Sequence, residues 1–259
     1  SIDYENVKRE TAIQGKYLII NIYPYEHQYY HSSHKKLDIV YEDELFLIVN
    51  KPSGIIVLSD GQDNENLTSV VSTYYHDIDN VYFEANPIHR LDKNTSGLVM
   101  YSKSIVFQAL LDKMLEKKMI RRTYLAYVFG KINKNTNFEI DKAIGKDRHN
   151  ANKMVINPKG QKAITKVNSL GFSDKGYTIL NCRLLTGRTH QIRVHLASEG
   201  YPILNDDLYG KPSSLMKDMG LLAYRLSFFH PLKEEMTEVE LGLKGDFKRL
   251  YEEVVDAED

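Results

Sequence analysis

Cysteine is scarce in this sequence: the single example among 259 residues is Cys182. One cysteine excludes an internal disulfide and a zinc site built on cysteines, and it fits a reducing cytoplasm. Long apolar runs are also missing, because no stretch approaches the roughly 20 residues that span a bilayer. The first residues show no basic or apolar region of a signal peptide. We therefore expect a cytoplasmic protein that does not enter the membrane.

Motifs for nucleotide binding and for hydrolytic nucleophiles are absent as well. The chain has no Rossmann fingerprint and no P-loop, so no nucleotide cofactor is implied. It has no G-x-S-x-G nucleophile elbow, which argues against a Ser-His-Asp hydrolase. His27, His31 and His34 have helical spacing, but no acid or cysteine joins them. We therefore expect neither a metal nor a cofactor.

The overall composition is that of an ordinary globular chain, with 42% hydrophobic and 27% charged residues. The formal net charge of −1 hides an uneven distribution. Residues 103–166 carry 15 Lys and Arg against five Asp and Glu, whereas residues 233–259 carry four against ten. A basic segment is typical of proteins that bind a polyanion. On charge alone, a solvated surface without such a partner remains the alternative.

The hydrophobic pattern predicts strands in runs, with few helices between them. Three strands are predicted within residues 37–57, and further strands over 97–101, 123–129, 163–170, 177–185, 221–228 and 239–243. Helices are predicted over 67–78, from a cap at Ser104 to Lys118, from a cap at Thr189 to about Gly200, and after a cap at Asp246. This order favours an α+β fold with a mixed, largely antiparallel sheet. Residues 1–36 are weakly patterned and are predicted to be an N-terminal extension, and residues 37–259 form one continuous domain.

The first candidate cluster is PIHRLDKNTSG, residues 87–97, a polar loop in front of a strand. An EF-hand is excluded because the twelfth position counted from Asp92 is Lys103 instead of the required Glu. A kinase catalytic loop is excluded because one residue is inserted between Arg90 and Asp92, and no glycine-rich phosphate loop or Asp-Phe-Gly occurs. What remains is a carboxylate beside an arginine. An Asx-type turn with a purely structural role is the alternative.

The second candidate cluster is LTGRTHQIRVH, residues 185–195, at a strand end and a helix start. Arg188, His190 and Gln191 are predicted near the helix N-terminus, where backbone N–H groups favour anions such as phosphate. Arg193 falls one helical turn beyond His190 and can share its face. The pattern indicates a phosphate or carboxylate site. The alternative is a surface helix along which long arginine side chains lie.

The third candidate segment is a strand over residues 121–128. Alternation places Arg122, Tyr124 and Ala126 on one face of this strand. A tyrosine beside basic residues can stack on a nucleic-acid base. The alternative is an ordinary strand tyrosine packed in the core.

Taken together, these segments resemble the RluA-type family of RNA pseudouridine synthases. DELFLIVNKPSGIIV is similar to the first motif of the family, HRLDKNTSGLVMYSK to its catalytic motif and RRTYLAYVFG to the strand with its active-site tyrosine. LLTGRTHQIRVHLASEGYPILNDDLYG is similar to its third motif and the following loop. The resemblance covers about residues 38–230, and four ordered matches outweigh the separate structural alternatives.

The sequence departs from the family pattern in two places, and its start differs from many members. Leu58 and Ser59 stand where many members have His-Pro. Asn205 stands where many have Gly, and Asn tolerates the left-handed backbone that such a turn requires. Residues 1–36 do not resemble an intact S4 RNA-binding domain.

The resemblance implies a pseudouridine synthase-like fold, in which flanking helices surround a mixed sheet with a central catalytic cleft. It implies that uridine in folded RNA is isomerised to pseudouridine, without a metal, redox cofactor or nucleotide. Asp92 would be the catalytic carboxylate, acting as nucleophile or as base. Arg193 would pair with that carboxylate, and Tyr124 would stack on the target base and assist a late proton transfer.

The resemblance also implies RNA contacts outside the catalytic group. Arg90 would enter the base stack while the uridine is extruded, because the glycosidic carbon is shielded inside stacked RNA. Arg188, His190 and Gln191 are candidate RNA contacts. The RNA would be ribosomal, with the large subunit favoured, or transfer RNA. We expect a monomer.

Two other functions stay open at this point. An RNA-binding protein without turnover could use the same scaffold, and a product assay would distinguish it. A glycosylase would instead hydrolyse the bond to a flipped base, and a released base or an abasic site would reveal it.

Overall fold

The structure is a computed structural model that describes residue 33 and residues 35–59, 65–79, 85–103 and 105–255. Most of the predicted extension over residues 1–36 lies outside these residues. The strands are β1 (Ile39–Glu42), β2 (Phe46–Lys51), β3 (Asn86–Pro87), β4 (Ser96–Ser102), β5 (Ile120–Phe129), β6 (Asn137–Asp141), β7 (Ile144–Lys146), β8 (Met154–Ile156), β9 (Ile164–Ser173), β10 (Tyr177–Leu184), β11 (Leu221–His230) and β12 (Glu235–Glu240). The helices are α1 (Leu67–Asp79), α2 (Ile105–Glu116), α3 (Gln191–Ser198) and α4 (Gly245–Val255).

One large sheet organises the described part of the chain. Its strand order is β1-β2-β4-β11-β5-β10-β9-β6, with β3 beside β4 and β12 beside β11. The β4–β11 pair is parallel, and every other pair in this sheet is antiparallel. β7 and β8 form a separate antiparallel hairpin. The predicted α+β fold with a mixed, largely antiparallel sheet is therefore confirmed.

Helices cover both faces of the sheet. On one face, Val71 of α1 and Leu196 of α3 join the apolar cluster that contains the inner side chains of β5. On the other face, Leu111 of α2 and Leu250 of α4 are buried against the sheet. Each fully buried leucine contributes roughly 1.5–3 kcal/mol, so these two layers hold the central strands in place. None of the helices in the described ranges is long and apolar enough to span a bilayer.

The parallel contact between β4 and β11 depends on a glycine. Gly97 pairs with Ala223 in the register of the two strands, and its φ is +114°. A Cβ at this position would lie 2.3 Å from the Ala223 carbonyl oxygen. Only glycine lets the two strands approach this closely at such a φ. The approach joins the strand that follows Asp92 to the middle of the sheet.

The predicted late strand over residues 239–243 is wrong in its bounds, because β12 is Glu235–Glu240. This edge strand is mostly polar and buries only Val239, so an apolar pattern does not reveal it. Leu241 instead packs in the core beyond the end of the strand. The short strands β3, β6, β7 and β8 were also missing from the sequence prediction, and the last of the three strands predicted within residues 37–57 is not formed, because residues 52–59 are a loop. The other predicted strands and the helix over 67–78 match observed elements.

Two predicted helix caps are wrong, and a third lies outside the described residues. Thr189 does not cap α3: the N-cap residue is His190, with φ +56° and no capping bond from its side chain. Asp246 lies inside the first turn of α4, where it accepts the Lys217 N–H (2.9 Å) and pairs with Arg249. Its carboxylate therefore holds a neighbouring loop to the helix. The third predicted cap, Ser104, lies outside the described residues.

Candidate active site

A tight turn presents Asp92 immediately before β4. The Thr95 N–H donates to the Asp92 carbonyl at 3.1 Å, which closes a four-residue turn. The Asp92 side chain is 25% exposed, whereas Thr95 is buried. The turn therefore holds its backbone in the protein and leaves the carboxylate accessible from the solvent.

The loop after β2 braces the two central residues of this turn. The Gly54 N–H donates to the Lys93 carbonyl at 2.9 Å. The Ser53 hydroxyl donates to the Asn94 carbonyl at 3.1 Å. The Lys-Pro-Ser-Gly segment, which local sequence patterns predict only as a turn, thus positions the turn that carries Asp92.

Lys51 supports the turn from inside the protein. Its side chain is fully buried, and its ammonium group donates to the carbonyls of Pro52 (2.9 Å), Ile55 (2.7 Å) and Lys93 (2.9 Å). Burial lowers the pKa of Lys51 to about 8, and the charge of Asp92 opposes this shift. Sequence reasoning missed this residue as a site component, because no local pattern shows which lysine is buried.

Arg193 lies between three carboxylates. Its Nη1 is 3.3 Å from Oδ2 of Asp92, and its Nη2 is 3.0 Å from Oδ1 of Asp207. Two further bonds of 2.8 Å join Nε and Nη2 to the two oxygens of Asp206. Burial opposes the guanidinium charge, but the bonds and charges of Asp206 and Asp92 outweigh it and raise the pKa of Arg193. The predicted pairing of Arg193 with Asp92 is thus geometrically present.

Asp206 anchors this arginine. Its side chain is fully buried and also accepts the N–H groups of Leu208 (3.0 Å) and Tyr209 (3.1 Å). Burial alone would raise the pKa of Asp206, but the hydrogen bond and charge of Arg193, with these two N–H donors, hold it below its ordinary value. Asp206 was not among the predicted site residues. Two adjacent aspartates in the quoted loop were the only available signal.

The residue before this pair confirms one expectation about the turn. Asn205 adopts φ +56°, the left-handed backbone that its place in the turn was expected to need. Its side-chain amide donates to the Met216 carbonyl at 2.6 Å, and its side-chain oxygen accepts the Ser213 N–H. These bonds stabilise a conformation in which glycine is the usual residue.

Tyr124 lies on β5, on the same side of the sheet as α3. Its ring is buried in the apolar cluster with Ala126, which confirms the alternation predicted for this strand. Burial raises the pKa of Tyr124, Arg122 opposes this effect and the charge of Asp92 adds to it. The phenol is therefore neutral near pH 7 and can donate a proton or a hydrogen bond.

His190 connects Asp92 to the β7–β8 hairpin. Its Nε2 is 3.9 Å from Oδ2 of Asp92, and its Nδ1 is 2.9 Å from the Tyr209 hydroxyl. That hydroxyl already accepts the Met154 N–H at 2.7 Å, so its own hydrogen is available for Nδ1. This arrangement places the imidazole proton on Nε2, the nitrogen nearer Asp92. Burial lowers the pKa of His190, although Asp92 opposes the shift.

Gln191 has an internal role that differs from the expected RNA contact. Its side-chain oxygen accepts from the Thr186 hydroxyl (2.7 Å) and the Arg188 N–H (3.0 Å). Its side-chain amide donates to the Ile164 carbonyl and the Thr165 hydroxyl, both at 3.0 Å. Gln191 is buried and its polar atoms are used by the protein. The side chain of Gln191 therefore ties the backbone of Arg188, just before α3, to strand β9.

All seven residues predicted from the sequence line one pocket. The pocket encloses about 440 Å³, including the space at its mouth. Arg90 and Arg188 are exposed, and the Arg188 Nε donates to the Lys162 carbonyl at 3.1 Å. The lining residues of the prediction are Arg90, Asp92, Tyr124, Arg188, His190, Gln191 and Arg193. No group of three or more possible His, Cys, Asp or Glu metal ligands occurs in the described part of the chain.

Known proteins are similar to this chain in sequence and in fold. Residues 45–198 match the family described as RNA pseudouridylate synthase. The chain is 33% identical to "Uncharacterized RNA pseudouridine synthase YhcT" of Bacillus subtilis over 251 residues, covering 96% of this chain and 83% of that protein. It is 32% identical to "Ribosomal large subunit pseudouridine synthase D" of Haemophilus influenzae, covering 95% of this chain and 79% of that protein.

Solved structures support the fold. The "Human RNA Pseudouridylate Synthase Domain Containing 1" superimposes with a TM-score of 0.65 at 23% identity, covering 82% of this chain and 86% of that chain. The "Human RNA Pseudouridylate Synthase Domain Containing 4" gives 0.66 at 20% identity, covering 83% and 92%. At these identities the likeness concerns the fold alone, and it agrees with the predicted architecture.

Proposed function

The chain belongs to the RNA pseudouridylate synthase family, whose members are isomerases, and from this premise we propose that it converts specific uridines of structured RNA into pseudouridine. The observation that carries the proposal is the Asp92 carboxylate, which Arg193 contacts at 3.3 Å in the pocket that Tyr124 also lines. A carboxylate, a fixed cation and a neutral phenol meet there. An RNA-binding protein without turnover would not need this arrangement.

The reaction rearranges one nucleotide without adding or removing atoms. The C1′–N1 bond breaks, the uracil turns, and a C1′–C5 bond forms. The proton on C5 is then lost and N1 ends protonated, so the product is an isomer of the substrate. No oxidant, reductant or water is consumed.

Asp92 starts the reaction on the ribose as nucleophile or as base, and both roles require the ionised carboxylate. Arg193 lies 3.3 Å from this carboxylate and supplies an opposite charge beside it. Arg193 also limits where the carboxylate can lie. Its own position is set by Asp206 and not by the substrate.

Tyr124 provides the surface on which the target base rests. Base–aromatic stacking contributes roughly 1–3 kcal/mol, which is comparable to the cost of extruding a base. Because the phenol is neutral, it can also take part in the proton transfer from C5 to N1. Arg90 occupies the stack left by the extruded base, and Arg188 and His190 contact the neighbouring RNA.

The RNA substrate is proposed to be large-subunit ribosomal RNA, which is the substrate named for the Haemophilus influenzae relative. Transfer RNA is the alternative. We assign the reaction to residues 37–259, acting as a monomeric catalytic domain in the cytoplasm. Neither a metal nor a cofactor takes part in this scheme.

The test compares RNA from cells with and without the gene by carbodiimide-dependent primer extension, which stops at pseudouridine. The gene is restored as wild type, as Asp92→Asn, or as Asp174→Asn, a matched control whose side chain is 98% exposed in the turn after β9. We expect specific stops to vanish without the gene and to return with wild type and Asp174→Asn only.

Purified protein on an unmodified transcript gives the second arm. Pseudouridine formed by the wild type and not by Asp92→Asn supports the proposal. Binding without product supports the inactive RNA-binding alternative, and a released base or an abasic site supports the glycosylase. A fully active Asp92→Asn enzyme would contradict the role of the carboxylate.

A further inference from the structure

A second cavity adjoins the catalytic pocket on the side of α2. It encloses about 2230 Å³, including its open mouth, and lies where β5 begins and β10 ends. Arg90, Asp92, Arg122 and Arg188 line both this groove and the catalytic pocket. The two cavities therefore adjoin along these four residues.

The groove is strongly basic. Its acidic lining groups are Asp92, Asp112 and Glu116, and the Asp112 carboxylate accepts a bond from the Gln108 amide. Twice as many cations line it: Arg90, Lys118, Arg121, Arg122, Arg183 and Arg188. The excess positive charge favours a polyanion.

None of the five arginines has a carboxylate partner within 4 Å in the described ranges, and three of them lie on the adjacent strands β5 and β10: Arg121, Arg122 and Arg183. Arg193 and Arg249, by contrast, are held in ion pairs. Arg121 and Arg183 are exposed, and Arg183 lies opposite Thr123 in the strand register. Unpaired guanidinium groups on adjacent strands suit phosphate, which they bind in bidentate fashion.

We propose that this groove binds the phosphodiester backbone of the RNA strand adjoining the target uridine, through Arg121, Arg122 and Arg183. The inference rests on the proposed function and adds a defined path for the substrate. Half-buried Leu58, which departs from the usual family pattern, and Leu184 supply apolar contacts for ribose or base. The strand passes along the groove, and its uridine turns into the pocket beside Asp92.

The test uses the Arg121→Ala/Arg183→Ala double variant, because both side chains are exposed and neither lines the catalytic pocket. The matched control is Lys217→Ala/Lys244→Ala, which removes two exposed charges outside the groove. The probe is an unmodified transcript of large-subunit ribosomal RNA. Turnover is measured as pseudouridine formed, and affinity is measured separately by filter binding across a range of salt concentrations.

We expect the groove variant to raise KM about tenfold with kcat within about twofold. The slope of log affinity against log salt should fall by about 0.7 for each phosphate that the variant no longer neutralises, hence by about 1.4 for two arginines. The control should change neither quantity. If the wild type forms pseudouridine and the groove variant has the same KM and the same salt slope, the proposed role of the groove is wrong and the proposed function is unaffected. If the wild type forms no pseudouridine, the proposed function fails, and the salt slope still decides the groove.

An independent observation inside the catalytic pocket concerns Thr95. Its side chain is 2% exposed, and its hydroxyl has no hydrogen-bond partner in the described part of the chain. The residue lines the pocket and lies in the same turn as Asp92. A buried hydroxyl without a partner is unfavourable in the free protein, and such groups in native structures call for an explanation.

We infer that the Thr95 hydroxyl forms a hydrogen bond with the polar edge of the target uracil once that base lies in the pocket. This inference also depends on the proposed function. Reading a flipped base through hydrogen bonds to its edge is the usual way in which such pockets select their substrate. In the free enzyme the Thr95 hydroxyl would then have no hydrogen-bond partner, and the bound uracil would supply one.

Thr95→Val, which keeps the shape of the side chain, is compared with Thr95→Ser, which keeps the hydroxyl. We expect kcat/KM to fall at least tenfold for Val and to stay within about threefold for Ser. The Tm of the free Val variant should not decrease, since the hydroxyl makes no internal bond. Wild-type kcat/KM in the Val variant would overturn the inference, and so would a marked decrease of Tm, which would indicate a structural role. If the wild-type protein forms no pseudouridine, the result counts instead against the proposed function.

Discussion

Arg193 and Asp206 form a two-bond ion pair in which both bonds measure 2.8 Å and both side chains are buried. The arginine has one further nitrogen for Asp92, at 3.3 Å. The guanidinium therefore has a fixed position before any substrate arrives. A preorganised cation needs no rearrangement when charge develops in the transition state.

Asp206→Asn should impair both stability and turnover. Breaking a buried ion pair costs about 3–5 kcal/mol, because the remaining charge is uncompensated. A displacement of about 1 Å at a reacting group can cost about 100-fold in rate, so we expect kcat to fall by about that factor. Urea unfolding and single-turnover kinetics measure the two effects.

Asp207→Asn is the matched control, because Asp207 also contacts Arg193 but its side chain is 61% exposed. Exposed ion pairs contribute only about 0–1 kcal/mol. If Asp206→Asn and Asp207→Asn lost the same stability and the same rate, Asp206 would have no special role in anchoring Arg193.

Lys51→Met should destabilise the turn that carries Asp92. The substitution leaves the carbonyls of Pro52 and Ile55 without the lysine donor, and an unsatisfied buried group costs about 1–3 kcal/mol. We expect a lower Tm and a lower kcat. Lys93→Met, at an exposed position of the same turn, should stay within about 0.5 kcal/mol of the wild type. Activity and Tm that match this control would exclude the bracing role.

Lys51 also predicts a change of stability at alkaline pH. Burial lowers the pKa of its ammonium group to about 8 in the folded protein, against an ordinary value of 10.5. Between these two values the unfolded chain binds more protons, so the contribution of Lys51 to the free energy of unfolding increases as pH rises. Urea unfolding of wild type and Lys51→Met from pH 7 to 10.5 should show the wild type gaining stability relative to the variant. A constant difference would contradict the lowered pKa.

Gly97→Ala should disrupt the centre of the sheet. The new Cβ would lie 2.3 Å from the Ala223 carbonyl oxygen, and the residue has a φ of +114°. Gly176→Ala is the control, because its φ of +84° imposes similar backbone strain with no atom within 4 Å of the added Cβ. We expect the control to lose about 1–2 kcal/mol and Gly97→Ala to lose far more, seen as a lower soluble fraction and Tm. Similar losses would show that φ, and not the strand approach, sets the requirement for glycine.

Tyr124→Phe should separate stacking from proton transfer. The ring that supports the base remains, so the Kd for RNA should stay within about threefold. Loss of a proton-transfer group typically costs about 10²–10⁴ in rate, and we expect a fall in kcat of about 100-fold. Tyr177→Phe removes another buried strand hydroxyl, which donates to the Leu250 carbonyl, and should leave kcat unchanged. Wild-type kcat in Tyr124→Phe would assign stacking alone to this residue.

Local patterns predicted the elements whose apolar faces enter the core and missed those without such a face. The inner strands β5, β9, β10 and β11 were found because they alternate or run apolar. β12 was misplaced because it is a polar edge strand that is defined by its backbone pairing with β11, in which Glu240 lies opposite Arg225. Such pairs depend on a partner that is distant in sequence, and alternation within one segment does not show it.

Motifs and local patterns were enough to predict the family, the order of the main strands, and Asp92, Tyr124 and Arg193 as candidate catalytic residues. Their types and their motif spacing are local properties of the chain. The contacts between these groups are observed only in the folded chain, because they join segments that are far apart in sequence. Arg193 reaches Asp92 across 101 residues because α3 packs on the sheet beside the turn before β4.

The supporting residues show the same division. Burial of Lys51, the anchoring of Arg193 by Asp206 and the internal role of Gln191 depend on carbonyls and carboxylates brought in from other segments. A hydrogen bond needs its two atoms within about 3.5 Å, and a linear pattern holds no such distance between remote segments. The sequence thus names candidate groups, and packing sets their positions and their electrostatic surroundings.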